Sequence, residues 1–142
     1  MHVDIRRIDT ELSLPEYKTE GAVAMDCAAR VDTVIPARGI AYVPLNIGVK
    51  PPKGYTVIMA ARSSLHKKGL LLPNAIGIFD EDFSGDDDEY HAVVYNFTDA
   101  EVTVARGDRI TQIIVLPFDR VTWNEVATHG VATRGGFGST GV

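Results

Sequence analysis

The sequence predicts an all-β protein, and three features of the 142-residue chain carry that prediction. Short runs rich in Val, Ile, Tyr and Phe recur along its length, the composition expected of strands. Turn-forming groups such as Pro51-Pro52-Lys53-Gly54 and Arg106-Gly107-Asp108 separate them. No stretch sustains the 3.6-residue apolar period of a long amphipathic helix. Many short strands at close spacing imply one domain built as a sandwich, a jelly roll or a distorted barrel.

Taken in order, Val3 to Ile8 opens the series and Val23 to Ala29 is the second candidate strand. Val34-Ile35-Pro36 and Ile40 to Val49 bracket an Ala-Arg-Gly turn, and Tyr55 to Ala60 follows the diproline turn. Ser63 to Lys68 is a candidate helical turn, with a serine start and Gly69 as its stop. Ile76 to Phe79, Tyr90 to Phe97, Val102 to Ala105, Ile110 to Phe118 and Val121 to Val126 complete the strands. The β domain is expected to span residues 1–132. Residues 133–142 are too rich in glycine for strand or helix and are expected to form a flexible tail of the same domain.

Composition narrows the function. Hydrophobic residues make up 45% and charged residues 23%, ordinary for a soluble globular chain. Cys27 is the only cysteine, so neither an internal disulfide nor a zinc site of paired cysteines can form. That suits a reducing, cytoplasmic location. No apolar run reaches the length of a membrane span, and Met1-His2-Val3-Asp4 lacks a signal-peptide pattern. A net charge of -5 argues against general nucleic-acid binding. Basic residues nevertheless cluster (Arg62, His66, Lys67 and Lys68; Arg106 and Arg109; Arg134), and local clusters can bind phosphate against the global sign.

The most informative stretch is Asn74-Ala75-Ile76-Gly77-Ile78-Phe79-Asp80-Glu81-Asp82-Phe83-Ser84-Gly85. Carboxylates at the lip of a buried strand are costly to desolvate unless they are paired or used. A solvated acidic hairpin is the plain alternative. The run Gly85-Asp86-Asp87-Asp88-Glu89 is expected to be a solvated loop, because it lacks the spaced ligands of a calcium site. Arg62-Ser63-Ser64 sets a guanidinium beside hydroxyls and free N–H groups at a turn, an arrangement suited to anions. A serine cap with a surface arginine is its structural alternative. In Gly107-Asp108-Arg109-Ile110-Thr111-Gln112, strict alternation puts Arg109 and Thr111 on one face and Gln112 on the other. Asp26 is a lone carboxylate in an apolar strand, whose natural partner is a buried arginine. In the tail, glycines permit close backbone approach to phosphate, Ser139 and Thr140 add hydroxyls, and Phe137 offers a stacking face.

These stretches, in this order, resemble the motifs of the trimeric dUTP diphosphatases, the dUTPase family. The resemblance runs from Ala24 to Gly141, and Gly107 to Gln112 and Gly135 to Gly141 are its most specific parts. It implies a jelly-roll subunit, a homotrimer with shared active sites, and Mg²⁺ as cofactor. The implied reaction is hydrolysis of dUTP to dUMP and pyrophosphate, which limits uracil in DNA and supplies dUMP for thymidylate synthesis. On that resemblance Asp80 is the general base, Gln112 places the water and contacts the α-phosphate, and Ser63 sits near the α–β bridging oxygen. Arg62 and Ser64 hold phosphates. The backbone of Asn74, Gly77, Ile78 and Phe79 reads uracil, and Phe83 packs on the deoxyribose. Phe137 stacks on the base between Gly136 and Gly138, while Arg134, Ser139 and Thr140 grip the outer phosphates. Asp26 supports the metal indirectly, through water.

The chain departs from the pattern at several places, among them Leu65-His66-Lys67-Lys68, which runs one residue short, and Asp86-Asp87-Asp88, which looks like an insertion before Glu89. Phe83 stands where tyrosine is common, Ser64 where glycine is usual, and Arg134 directly precedes Gly135 without an intervening residue. Related dCTP deaminases place a glutamate three residues before an asparagine; counting back from Asn96 gives Val93, which moves no proton. A diphosphatase or deaminase of the same superfamily acting on dCTP, a non-catalytic nucleotide-binding regulator and a structural jelly-roll module are the alternatives.

Overall fold

The computed structural model describes residues 1–136. Its strands are β1 (Asp4–Arg7), β2 (Met25–Ala28), β3 (Thr33–Ile35), β4 (Ile40–Pro44), β5 (Ile47–Lys50) and β6 (Tyr55–Ala61). After a 3₁₀ turn over Leu65–Lys68 come β7 (Leu70–Leu71), β8 (Ile76–Phe79), β9 (His91–Asn96), β10 (Val102–Val104) and β11 (Arg109–Pro117). All pairings are antiparallel. The largest sheet has the order β2-β11-β6-β8, a second has the order β4-β9-β7, and two-stranded ribbons join β1 to β5 and β3 to β10. This is the expected all-β fold, consistent with a jelly roll, with its strands in four groups and not in one closed barrel.

Alternation builds the core. In β9, Ala92, Val94 and Asn96 are buried between half-exposed neighbours, and in β6 the buried residues are Val57 and Met59. They meet Ile35, Val43, Leu45, Ile47, Leu70, Tyr90 and Val104 in one cluster. Each such aliphatic side chain contributes about 1.5–3 kcal/mol by leaving water.

Three local outcomes differ from the sequence reading. The stretch from Ile40 to Val49 is two strands, because Asn46 adopts a left-handed φ of 69°. Asparagine tolerates that conformation, and this one is buried, bonding Asp9 through both its side-chain oxygen (2.6 Å) and nitrogen (2.9 Å). The chain therefore leaves the β4 sheet and enters the β1 ribbon. Secondly, Leu70-Leu71 forms a short strand that two residues of pattern cannot announce; it pairs with Asn96 and Tyr95. Its start is set by Gly69 at φ 76°, where a side chain would also collide with the Thr98 methyl.

The third concerns Val121 to Val126, expected as a strand. From Phe118 to Gly136 the described chain has neither helix nor strand, and residues 119–136 are all exposed. Trp123 is 91% exposed and Val121 67%. Strand propensity alone does not make a strand; backbone groups need a partner edge, and this segment pairs with none among the described residues.

Candidate active site

The site's electrostatic centre lies where β2, β11 and the end of β6 meet. Asp26 pairs across the sheet with Gln112, and Gln112 pairs with Ala60. The Arg62 side chain folds back over this row. Its Nε lies 3.0 Å from Asp26 Oδ1, and its Nη1 donates to the Arg109 carbonyl at 3.0 Å. Arg109 approaches the other carboxylate oxygen at 3.5 Å. Gln112 Nε2 donates to the Ala61 carbonyl at 3.0 Å, which holds its amide beside Arg62. So Asp26 has the arginine partner its apolar strand required. Arg62 is no loose surface charge.

Strict alternation does not survive at the start of β11. The register shifts between Arg109 and Thr111, and Ile110 and Thr111 are buried in succession. That β-bulge turns Arg109 to the Asp26 and Gln112 side, whereas alternation had paired it with Thr111. Thr111 Oγ1 is buried without a normal hydrogen-bond partner; its cross-strand neighbour is the Cys27 thiol, a weak acceptor. Sequence reasoning left Arg109 out of the site, although its place inside Gly107 to Gln112 was a signal.

Beyond Arg62, Ser63 and Ser64 are exposed. Ser64 occupies the cap position of the 3₁₀ turn yet makes no side-chain capping bond. The serine-cap alternative is therefore not what this residue does. Its hydroxyl is available to a ligand, with Lys67 and Lys68 in the following turn. Lys68 bonds Asp108 at 2.9 Å, tying that turn to the β10–β11 connection.

The acidic lip lies elsewhere. β8 is the edge strand of the large sheet, so one row of its N–H and C=O groups has no strand partner. Ala75, just before it, has a left-handed φ of 62°, a conformation that costs a residue with a Cβ and that recurs at functional sites. Asn74 and Ile78 are exposed, and Gly77 is half-buried. Asp80 follows β8, and the turn closes with a Phe83 N–H to Asp80 carbonyl bond of 3.1 Å. An open hollow of about 680 Å³ beside it is lined by Thr56, Ile58, Ile78, Asp80, Phe118 and Arg120.

The acidic run that follows is pinned at both ends. Asp88 Oδ2 accepts the Gly85 N–H at 2.7 Å, and Glu89 takes two bonds from Arg30 (2.8 and 2.9 Å) and one from the Asn46 N–H (2.9 Å). Burial pushes the Glu89 carboxyl up, but Arg30 and Asn46 outweigh it and hold it below its ordinary value. Thus Glu89 is a structural anion and not a free base. Among the described residues, no group of three or more His, Cys, Asp or Glu converges on a metal position.

The chain brings Asp26, Arg62, Arg109 and Gln112 together and leaves Asp80 apart. Phe79 pairs with Val57, which puts Asp80 level with Thr56, whereas Gln112 is level with Ala60 and two strands away. At about 4.8 Å per strand and about 3.3 Å per residue, their backbones are roughly 16 Å apart. The base and water-orienting roles that the resemblance implies for them would need a hydrogen-bonding distance, directly or through one water. Within one chain they do not have it. Arg134 and Gly136 are exposed at the described end, away from both regions in sequence; Phe137, Gly138, Ser139 and Thr140 lie outside the described residues.

An all-β fold with a guanidinium cluster suited to anions and a separate acidic lip fits the class of β proteins that bind phosphate-bearing ligands, and comparison supplies the family. The dUTPase family model matches residues 10–141. A deoxyuridine 5'-triphosphate nucleotidohydrolase from Dictyoglomus turgidum is 35% identical, covering 100% of this chain and 99% of that protein. The dUTPase of Streptococcus mutans superposes with a TM-score of 0.76 at 28% identity, covering 84% of this chain and 98% of that one. A dUTPase of Staphylococcus aureus phage phi11, whose structure is described for its coordination of a structural Mg(II) ion, shares the fold at a TM-score of 0.80 and 14% identity. It covers 92% of this chain and 100% of its own. This chain belongs to the dUTPase family.

Proposed function

We propose that this protein hydrolyses dUTP to dUMP and pyrophosphate at sites shared between copies of the chain. The observation that carries the reading is the cluster of Asp26, Arg62, Arg109 and Gln112 beside exposed Ser63 and Ser64, with Asp80 held apart on a sheet edge.

Arg62 is charged at any physiological pH, and its guanidinium fork is oriented by Asp26 and by the Arg109 carbonyl, so it meets a phosphate without searching for a geometry. Ser63 and the Ser64 N–H add donors near the bridging oxygen. Gln112 contacts the α-phosphate. Asp80 accepts a proton from the attacking water as its oxygen bonds to the α-phosphorus. The bond from that phosphorus to the bridging oxygen breaks, and pyrophosphate leaves. Along β8, fixed backbone groups near Asn74, Gly77, Ile78 and Phe79 match uracil and leave cytosine with unpaired partners, a mismatch that discriminates strongly. Phe83 packs against the sugar. Phe137, Ser139 and Thr140, with Arg134, Gly136 and Gly138, close over base and outer phosphates.

Two inferences about assembly follow. The roughly 16 Å between Asp80 and Gln112 supports a site in which the base of one copy acts with the phosphate cluster of another. A homotrimer supplies three such sites by symmetry. The arm after β11, with Val121 and Trp123 exposed, is the segment available to embrace a neighbour.

The donor set suits Mg²⁺ carried on the triphosphate, since both Asp26 oxygens already face guanidinium groups and only a water-mediated role is left to it. Mg²⁺ supplies charge neutralisation on the phosphate oxygens. A nucleotide substrate and a lone reduced cysteine agree with a cytoplasmic location.

The deciding assay is pyrophosphate release from dUTP, dCTP, dTTP and UTP with Mg²⁺, with the nucleoside products identified. Selective conversion of dUTP to dUMP is expected. Release from dCTP at an equal rate defeats the base assignment, and release from none defeats the enzyme reading.

A further inference from the structure

Tyr90 is fully buried, and none of the roles assigned above uses it. Its ring lies face to face with Phe79, the residue before Asp80, at a centroid distance of 3.6 Å and an interplanar angle of 8°. Phe83, at the other end of the same turn, sits beside both rings, 6.1 Å from each and inclined by 22° to Tyr90 and 30° to Phe79. The turn from Asp80 to Phe83 is therefore preceded by one aromatic ring, Phe79, and closed by another, Phe83, and both stack with one buried side chain.

That side chain is itself fixed. The Tyr90 N–H donates to Ile47 and its carbonyl accepts from Leu45, both at 2.8 Å. The preceding residue, Glu89, is clamped by Arg30. The hydroxyl points to the Val49 carbonyl at 3.4 Å, too long to contribute much. Asp80 and Phe83 are exposed, whereas Tyr90 beneath them is fully buried and backbone-bonded on both its N–H and its carbonyl. Phe83 has no hydroxyl with which to fix its own orientation, so packing against Phe79 and Tyr90 orients its ring.

We propose that Tyr90 is a positioning residue: through Phe79 and Phe83 it fixes the base-bearing turn and presses the Phe83 ring against the sugar position, setting discrimination against a ribose 2′-hydroxyl without touching substrate. The proposal rests on the dUTP reading. Ring packing carries it, so the hydroxyl is dispensable and the ring is not.

The test uses full-length protein and the ratio of kcat/KM for dUTP to that for UTP. General destabilisation lowers both values together and leaves their ratio in place. Tyr90→Leu is expected to narrow the ratio at least tenfold and to lower kcat more than it raises KM, while Tyr90→Phe keeps wild-type values. If Tyr90→Leu does not fold, Phe79→Leu, which removes the stacked ring and spares the buried one, carries the same expectation. A second readout needs no turnover: fluorine NMR of protein labelled with 4-fluorophenylalanine should show a Phe83 resonance shifted by its neighbours' ring currents and moved in Tyr90→Leu. A wild-type ratio in the folded leucine variants overturns the proposal. Wild-type protein inactive on dUTP would overturn the function instead, and the Phe83 resonance alone would then decide whether Tyr90 positions the ring.

Discussion

Arg62 Nε sits 3.0 Å from Asp26 Oδ1, joining the residue that follows β6 to the middle of β2 across the intervening strand β11. The Asp26 side chain is only 15% exposed and that of Arg62 32%, so the pair is partly shielded from water and from salt. Its consequence is orientation: one guanidinium with two anchors, aimed along the sheet end where Ser63 and Ser64 stand.

Replacing that carboxylate tests the orientation directly. Asp26→Asn leaves two arginines with a neutral partner, and we expect a loss of about 1–3 kcal/mol in folding free energy by urea melt. Steady-state kinetics should show kcat/KM for dUTP falling by roughly a hundredfold, as expected when a transition-state charge contact is misplaced. Unchanged kinetics in a folded variant would show that Arg62 does not need Asp26.

Shared sites predict complementation. Asp80→Asn should abolish turnover and still bind a non-hydrolysable dUTP analogue by calorimetry, because only proton transfer is lost. Gln112→Ala should be severely impaired for a different reason. Mixed in equal amounts under conditions of subunit exchange, the two should regain about a quarter of wild-type activity, the fraction of composite sites that receive both intact halves. No recovery, with exchange verified by mass spectrometry, would place Asp80 and Gln112 in one chain's site.

The Glu89 carboxyl, depressed by Arg30 and the Asn46 N–H despite its burial, makes stability pH-dependent. Its folded value is below its unfolded one, so its contribution is complete above the ordinary value of 4.5 and is lost as pH falls through the folded value. Glu89→Gln should lower Tm near neutrality, and the gap to wild type should close on acidification below about pH 4. A gap that widens in acid would have the sign wrong. Asp9, held low by Arg106, and Asp108, held low by Lys68 against its own burial, contribute in the same direction.

Burial pushes the Cys27 thiol up to about 12, aided by the neighbouring Asp26 charge. At neutral pH it is a buried thiol and not a nucleophile. Iodoacetamide should label it only at the rate of unfolding, which makes it a native reporter of that process. Fast labelling of folded protein would mean that β2 opens locally.

Much of this was legible in the residues. The all-β class followed from strand-rich runs and turn chemistry, and the 3₁₀ turn over Leu65–Lys68 was readable because Gly69, which ends it, can adopt a φ that others avoid. Asp26 announced a cationic partner, since an isolated carboxylate in an apolar strand is too costly to leave unpaired. The roles proposed for Arg62, Asp80 and Gln112 come from the motifs' resemblance to the dUTPase family, which depends on residue type and local spacing.

Tertiary structure decided the rest, for reasons local pattern cannot carry. Which arginine meets Asp26 depends on β11 lying between β2 and β6, and on a one-residue bulge that turned Arg109 toward it. The break at Asn46 depends on Asp9, 37 positions away. Val121 to Val126 has a strand's composition yet no partner edge among the described residues. The separation of Asp80 from Gln112 is a property of sheet order and register, set by pairings between residues distant in sequence. Sequence determined which groups could do the chemistry; only the packed sheets determined which of them meet within one chain.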